Sequence, residues 1–125
     1  MLQLINQLPS HVVGVRATGE VTKQDVDTVL IPAIDALADQ ENSIYYLLVL
    51  ETAIGNWDLG AWVSDAKLGL KYLSKWTKIA VVTDQEGVQK FTDMFSNFAP
   101  GEAKGYPLAA LEAAKAWLSV PAKKE

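Results

Sequence analysis

The first candidates for chemistry are two carboxylates and the polar groups beside them. Glu51, Thr52 and Asn56 follow one apolar run, and Thr83 and Asp84 follow another. Two acids brought to one edge could share a proton, activate water or hold a hard cation. Asn, Asp and Thr are also the residue types that cap helices. Capping is therefore the competing reading for Asn56, Thr83 and Asp84, and Glu51 is the least explained of the set. The remaining inventory is spare. His11 is the only histidine and there is no cysteine, which rules out thiol catalysis, disulfides, thiolate metal sites and any site built on several histidines. No glycine-rich phosphate loop, Walker sequence or serine elbow is present. The sequence thus nominates no catalytic nucleophile, no metal ligands and no cofactor, and His11 reads as a surface or hairpin histidine.

The elements that would position these groups can be read in order. Met1 to Leu8 and His11 to Val21 are strand-like runs separated by Pro9-Ser10, which predicts an antiparallel hairpin. Thr22 and Asp25 have capping-box spacing at the head of a helix whose inner face is Val26, Val29, Leu30, Ala33 and Leu37. Pro32 inside it should bend the axis. Ile44 to Leu50, IYYLLVL, and Lys78 to Val82 are short continuous apolar runs, expected as parallel strands covered on both faces. The chain between them makes a βαβ crossover. Thr83 and Glu86 open a further expected helix with a stripe of Val88, Phe91, Phe95 and Phe98 and with Met94 at its border. Glu102 to Tyr106 suits a short edge strand, and Pro107 suits the start of a last helix with Leu111, Ala114 and Leu118 inward.

The crossover helix, Asp58 to Ser74, has apolar residues on two opposite sides. At about 100° per residue, Leu59, Trp62, Val63, Ala66, Leu70 and Leu73 form one stripe, expected to be the core face. Trp57, Ala61, Leu68 and Tyr72 form the other, edged by Lys67, Lys71 and Lys75. An outward stripe with two aromatics invites a partner. It could meet a second subunit or another protein, lie on a lipid surface with the lysines toward headgroups, or close over an apolar pocket as a mobile lid.

The whole chain bounds these readings. At 125 residues and 13.6 kDa it is long enough for one domain with a sizeable core. Half of the residues are hydrophobic and 21% are charged, which is globular composition. The net charge of -4 argues against nucleic acid as the main partner, since phosphate binding needs a basic surface. There is neither a signal-peptide pattern at the amino terminus nor an apolar run of membrane-spanning length, so a cytoplasmic location is expected, with peripheral membrane contact open.

With these residues in hand, the chain resembles the SpoIIAA-like family of small bacterial proteins. The resemblance rests on the ordered set of the amino-terminal hairpin, TVLIPAIDAL, IYYLLVL, DAKLGLKYLSKWTKIAVVTD and EAAKAWL, and spans nearly the whole chain. It implies an α/β fold with a mixed, mostly parallel sheet, an N-terminal antiparallel hairpin and about four flanking helices. That fold is similar to the STAS domains of anti-sigma-factor antagonists and sulphate transporters, and related in outline to the CRAL-TRIO lipid-binding fold. The resemblance carries no enzymatic activity; it implies ligand binding and membrane or protein association. One departure stands out. Antagonists of the STAS type carry a phosphorylatable serine at the start of the helix after the central strand, whereas ETAIGNWDLGAW has no serine before Ser64 and only Thr52 as a nearby hydroxyl.

The expectation is a non-enzymatic binding or regulatory module, with a homodimer or protein partner, a small apolar or lipid-like ligand, or a membrane surface as its partner. The contact residues nominated are Trp57, Ala61, Leu68 and Tyr72, with Phe91, Met94 and Phe95 from the following helix. An antagonist-type regulator and a small hydrolase-like enzyme using Glu51, Thr52, Asn56 and Asp84 at the strand edge are the alternatives.

Overall fold

The computed structural model describes residues 1–86, 88 and 101–121. Five strands form one sheet in sequence order: β1 (Leu2–Leu4), β2 (Val12–Ala17), β3 (Ile44–Leu50), β4 (Trp76–Val82) and β5 (Glu102–Tyr106). β1 and β2 pair antiparallel, and every later neighbour pair is parallel. The hairpin, the buried central strand, the crossover and the carboxyl-terminal edge strand are where the sequence predicts them. β5 begins behind Gly101, where a Cβ would come within 2.3 Å of the Trp76 carbonyl oxygen, so only glycine admits that approach.

The long helical connection from β2 to β3 begins with α1 (Lys23–Asp25), widens into a π-helical turn (Val26–Leu30) and continues as α2 (Ile31–Glu41). Thr22 and Asp25 form the expected capping box. Pro32 would press its ring on the carbonyl four residues back in a regular α-helix. The π-helical turn lies directly before it, with the Ile31 N–H donating to the Val26 carbonyl five residues back. The expected bend is therefore a wide turn. α2 ends on Asn42, whose φ of 57° is the left-handed conformation common after helices.

After β3 come a 3₁₀ turn (Ile54–Asn56) and α3 (Leu59–Lys71); after β5, a second 3₁₀ turn (Leu108–Ala110) behind Pro107 leads into α4 (Leu111–Ser119). The helix expected from Thr83 and Glu86 onward, with Phe91, Met94, Phe95 and Phe98, falls almost wholly outside the described residues. Parallel strands laid down in one direction with crossovers of one hand put their helices on one face. α2 and α3 accordingly share a core with Val15, Ala17, Ile44, Tyr46 and Leu50. The alternate residues of the same strands, Val12, Tyr45, Leu47, Val49, Ala80 and Val82, face α4 through Ala114 and Leu118.

The α4 face holds a buried cation. Lys78 donates from Nζ to the carbonyls of Trp117 (3.0 Å) and Val120 (2.6 Å) and lies over the Trp117 ring. A helix carboxyl end favours a positive charge, so this lysine is satisfied where it is buried. His11 sits on the same helix end, with Nε2 2.9 Å from the Leu118 carbonyl and its ring edge-on to Tyr45. These contacts tie the chain just before β2 to the end of α4.

α3 is turned the opposite way from the sequence expectation. Trp57, Ala61 and Leu68 are buried and Tyr72 is half-buried, whereas Leu59, Trp62, Val63, Ala66, Leu70 and Leu73 face outward, Leu70 at 72% exposure. The two stripes were correctly recognised but assigned to the wrong sides. It follows that Trp57→Ala should cost about 3–5 kcal/mol and Leu68→Ala about 2–5 kcal/mol. Leu70→Ala should stay within about 0.5 kcal/mol. Urea denaturation of the three variants decides the orientation; a Leu70→Ala loss as large as that of Leu68→Ala would reverse it.

Candidate functional site

The orientation of α3 follows from how it is fastened. Asp58 caps it, accepting from the Ala61 N–H at 2.7 Å. Just before, Trp57 pairs with Val21, the Val21 N–H donating to Asn56 and the Asp58 N–H to Val21. The helix then runs along α1 and the π-helical turn on an edge of small residues. At Gly60 a Cβ would lie 2.9 Å from the Lys23 Cβ, so the two helices meet almost backbone to backbone. Ser64, buried further along, hydrogen-bonds Asp27; with Lys23, the first cause, it keeps the Asp27 carboxyl below its usual range. At the far end, the Tyr72 hydroxyl and the Lys71 ammonium both reach Asp35 and lower its pKa. α3 is held by the α1–α2 connection along its length.

Among the described residues, the sheet beneath is only partly covered by α3. β3 is buried along its length except at Leu48, and in β4 the residues on this face, Ile79 and Val81, are half-buried. Register places Tyr46 beside Ile79 and Leu48 beside Val81, so these four form a continuous floor. Ala66, Gly69, Leu70 and Leu73 of α3 and its carboxyl-terminal extension make the wall. Trp76 closes one end, with its indole N–H donating to the Gly69 carbonyl at 3.0 Å. The resulting cleft has a volume of about 620 Å³, within the usual range for a small-molecule site.

Two titratable groups stand among the described residues of this apolar lining: Asp65 on α3 and Tyr46 on β3. Asp65 is half-buried, and burial pushes its carboxyl up to about 6. The Tyr46 hydroxyl is buried without a hydrogen-bond partner, and burial followed by the Asp65 charge raises its pKa well above the ordinary value. A buried hydroxyl left unpaired costs about 1–3 kcal/mol. A strained polar pair in an apolar cleft is the pattern of a site that recognises a ligand's polar end.

Of the nominated contact residues, Leu68 lines the cleft from inside. Trp57 and Ala61 lie at the fastened end, with Trp57 stacked on Trp62 at 5.1 Å and its own indole N–H unpaired. Tyr72 is engaged with Asp35. Phe91, Met94 and Phe95 lie outside the described residues. The strand-edge group is spread over separate partners. Glu51 pairs with Arg16 at 3.1 Å, and Asp84 accepts from the Leu108 N–H at 2.9 Å. Thr52 donates to the Gly19 carbonyl and accepts from the Asn56 amide. Among the described residues no three His, Cys, Asp or Glu side chains cluster as a metal site would require.

Sequence reasoning missed Tyr46 and Asp65. Tyr46 sits inside the apolar run IYYLLVL, and Asp65 lies on the crossover helix outside both of its apolar stripes. The usable signal was a tyrosine hydroxyl in a strand covered on both faces, which must find a partner somewhere.

The Asp65 shift has a consequence for stability. Its pKa is higher folded than unfolded, where it is near 3.8. The unfolded chain therefore loses this proton first as pH rises, and the folded state is weakened from about pH 4 to pH 6 and stays so above. Discounted for the water reaching a half-buried carboxyl, the effect is about 1–2 kcal/mol. Asp65→Asn should raise the urea midpoint at pH 8 and leave it nearly unchanged at pH 4. Equal effects at both pH values would show that this carboxyl titrates normally.

Comparison with known proteins agrees with this architecture. The SpoIIAA-like family profile matches residues 12–119. Among solved structures, the chain is similar to an uncharacterised DUF3478-family protein with a SpoIIAA-like fold from Shewanella loihica PV-4. The TM-score is 0.71 at 24% identity, covering 94% of this chain and 93% of that one. No curated protein matches. The family match runs from β2 through the helical connection and the α3 crossover to α4, taking in every described residue that lines the cleft, and the chain belongs to the SpoIIAA-like family.

Proposed function

We propose that the protein is a non-enzymatic binding module that holds a small apolar, lipid-like ligand in the cleft between α3 and the β3–β4 floor. The observation that carries this reading is the floor itself, which the described residues of α3 line on one side and do not cover. Tyr46, Leu48, Ile79 and Val81 belong to a sheet interior, yet the helix above them is fastened sideways to α1 and α2. An apolar ligand occupying the cleft would bury Leu48, Ile79 and Val81 fully and would take Leu70 and Leu73, at the rim, out of water. Each Å² removed is worth about 25 cal/mol. The strand-edge carboxylates lend no comparable support to an enzyme, because Glu51 and Asp84 each serve a structural partner.

The outward stripe of α3 supports a second, compatible reading as a protein or membrane-surface contact, including a second copy of the chain. Leu59, Trp62 and Val63 continue the apolar rim away from the cleft, at 78%, 39% and 45% exposure. The lysine ridge expected to flank a lipid-facing stripe is in part turned elsewhere, with Lys71 on Asp35 and Lys75 on Asn42. That favours the cleft as the principal site. The fold alone supports an antagonist-type regulator.

The test uses dodecanol and the dye 1-anilinonaphthalene-8-sulfonate as probes. Saturable binding is expected, with a change in the emission of Trp76. Ala66→Trp, at an exposed helix position on the cleft wall, should weaken binding at least tenfold without lowering Tm. Absence of saturable binding to both probes, or affinity untouched by Ala66→Trp, overturns the reading.

A further inference from the structure

Within the cleft, apolar surface fixes that a ligand is held, and the polar groups fix which one. Asp65 makes no ion pair or hydrogen bond with the described residues, and the Tyr46 hydroxyl is equally without a partner. Among the described residues, the surfaces around them bring no compensating cation. The β4 side of the lining is Trp76, Ile79 and Val81, the π-helical turn contributes Leu30, and α3 contributes Leu68 and its apolar outer residues beside Asp65 itself. Of the cations on α3 and its extension, Lys67 lies on the α1 side with Asp27, and Lys71 and Lys75 are directed to Asp35 and Asn42. Asp65 can only accept when ionised, whereas the Tyr46 hydroxyl can donate or accept, so the group that complements both is one that carries a donor.

Resting on the reading that the cleft holds a ligand, we propose that it selects amphiphiles whose polar end donates hydrogen bonds. A primary alkylamine is preferred, an alkyl alcohol is accepted and an alkyl carboxylate is turned away. An ammonium placed at Asp65 gives its carboxylate the counter-charge the protein does not supply, and one of its N–H groups can reach the Tyr46 oxygen. An alcohol satisfies Tyr46 and one carboxylate oxygen without the charge term. A carboxylate can accept from the Tyr46 hydroxyl but brings a second negative charge against Asp65 and offers that group no donor. At pH 5 Asp65 holds its proton and becomes a donor itself, so the ranking compresses. Amine binding near pH 6 should also expel that proton, because the ammonium favours the ionised carboxyl.

The experiment compares decylamine, decanol and decanoic acid, each below its micelle concentration, by isothermal titration calorimetry at pH 8 and pH 5. At pH 8 decylamine should bind at least tenfold more tightly than decanoate, with decanol between them. Asp65→Asn should reduce decylamine affinity about tenfold, improve decanoate several-fold and leave decanol within twofold. Tyr46→Phe should weaken amine and alcohol together, about threefold to tenfold. Repeating the amine titration near pH 6 in buffers of different ionisation enthalpy should show proton release, which Asp65→Asn abolishes. If the three probes bind equally, or decanoate leads at pH 8, the selectivity is overturned while the cleft remains a binding site. If none of them binds, the binding reading fails and the selectivity with it.

Discussion

The contact on which the rest depends is the sideways attachment of α3 to α1 and the π-helical turn. Gly60, Ala61 and Ser64 present so little side chain that the helices approach closely, and a Cβ at Gly60 would already crowd Lys23. The Val21–Trp57 pairing fixes one end, and Asp35, gripped by Tyr72 and Lys71, fixes the other. A helix held along this edge cannot also lie flat on β3 and β4 with bulky leucines beneath it. The outward leucines and the open floor are therefore one geometric fact seen from two sides.

The electrostatics separate structure from site. Lys78 is buried, but two helix-end carbonyls and an aromatic face receive its charge. Asp27 and Asp35 are stabilised as anions by the partners that fasten α3. Asp65 on the same helix and Tyr46 on β3 have no such arrangement, and burial disfavours their ionised forms. The charged groups that fasten α3 and α4 have partners; among the described residues Asp65 and the Tyr46 hydroxyl have none, and both line the cleft.

The fold was largely legible because its signals are local. IYYLLVL can hardly be other than a strand covered on both faces, the Thr22–Asp25 spacing opens a helix, and the short first link predicts a hairpin. The site was not legible, because its decisive feature is the side on which α3 packs. Periodicity gives the angle between Leu70 and Leu68 but not which of them faces the core, and both stripes are apolar enough to qualify. The bulkier stripe, with Leu59, Trp62, Val63 and Leu73, was the natural choice for the inside and is outside. Gly60, Ala61 and Ser64 carried the opposite message, since small residues on one edge mark where a helix meets another closely. Asp65 and Tyr46 escaped for the same reason, as their meeting depends on the side chosen.

The division of work in the cleft follows from these magnitudes. Leu48, Ile79 and Val81 of its floor are only half-buried and Tyr46 is buried beside them, so apolar burial supplies the bulk of the affinity in a manner indifferent to the ligand's polar end. Much of that gain is offset by the lost freedom of the ligand. A single well-placed ion pair or hydrogen bond is comparable to what remains, and one tenfold step is only 1.4 kcal/mol. A lone carboxyl and a lone hydroxyl on an apolar surface can therefore decide among ligands of equal chain length even though they contribute little of the buried area. Placing both where the floor is open gives them that influence, and it is the fastening of α3 to its neighbour that keeps the floor open.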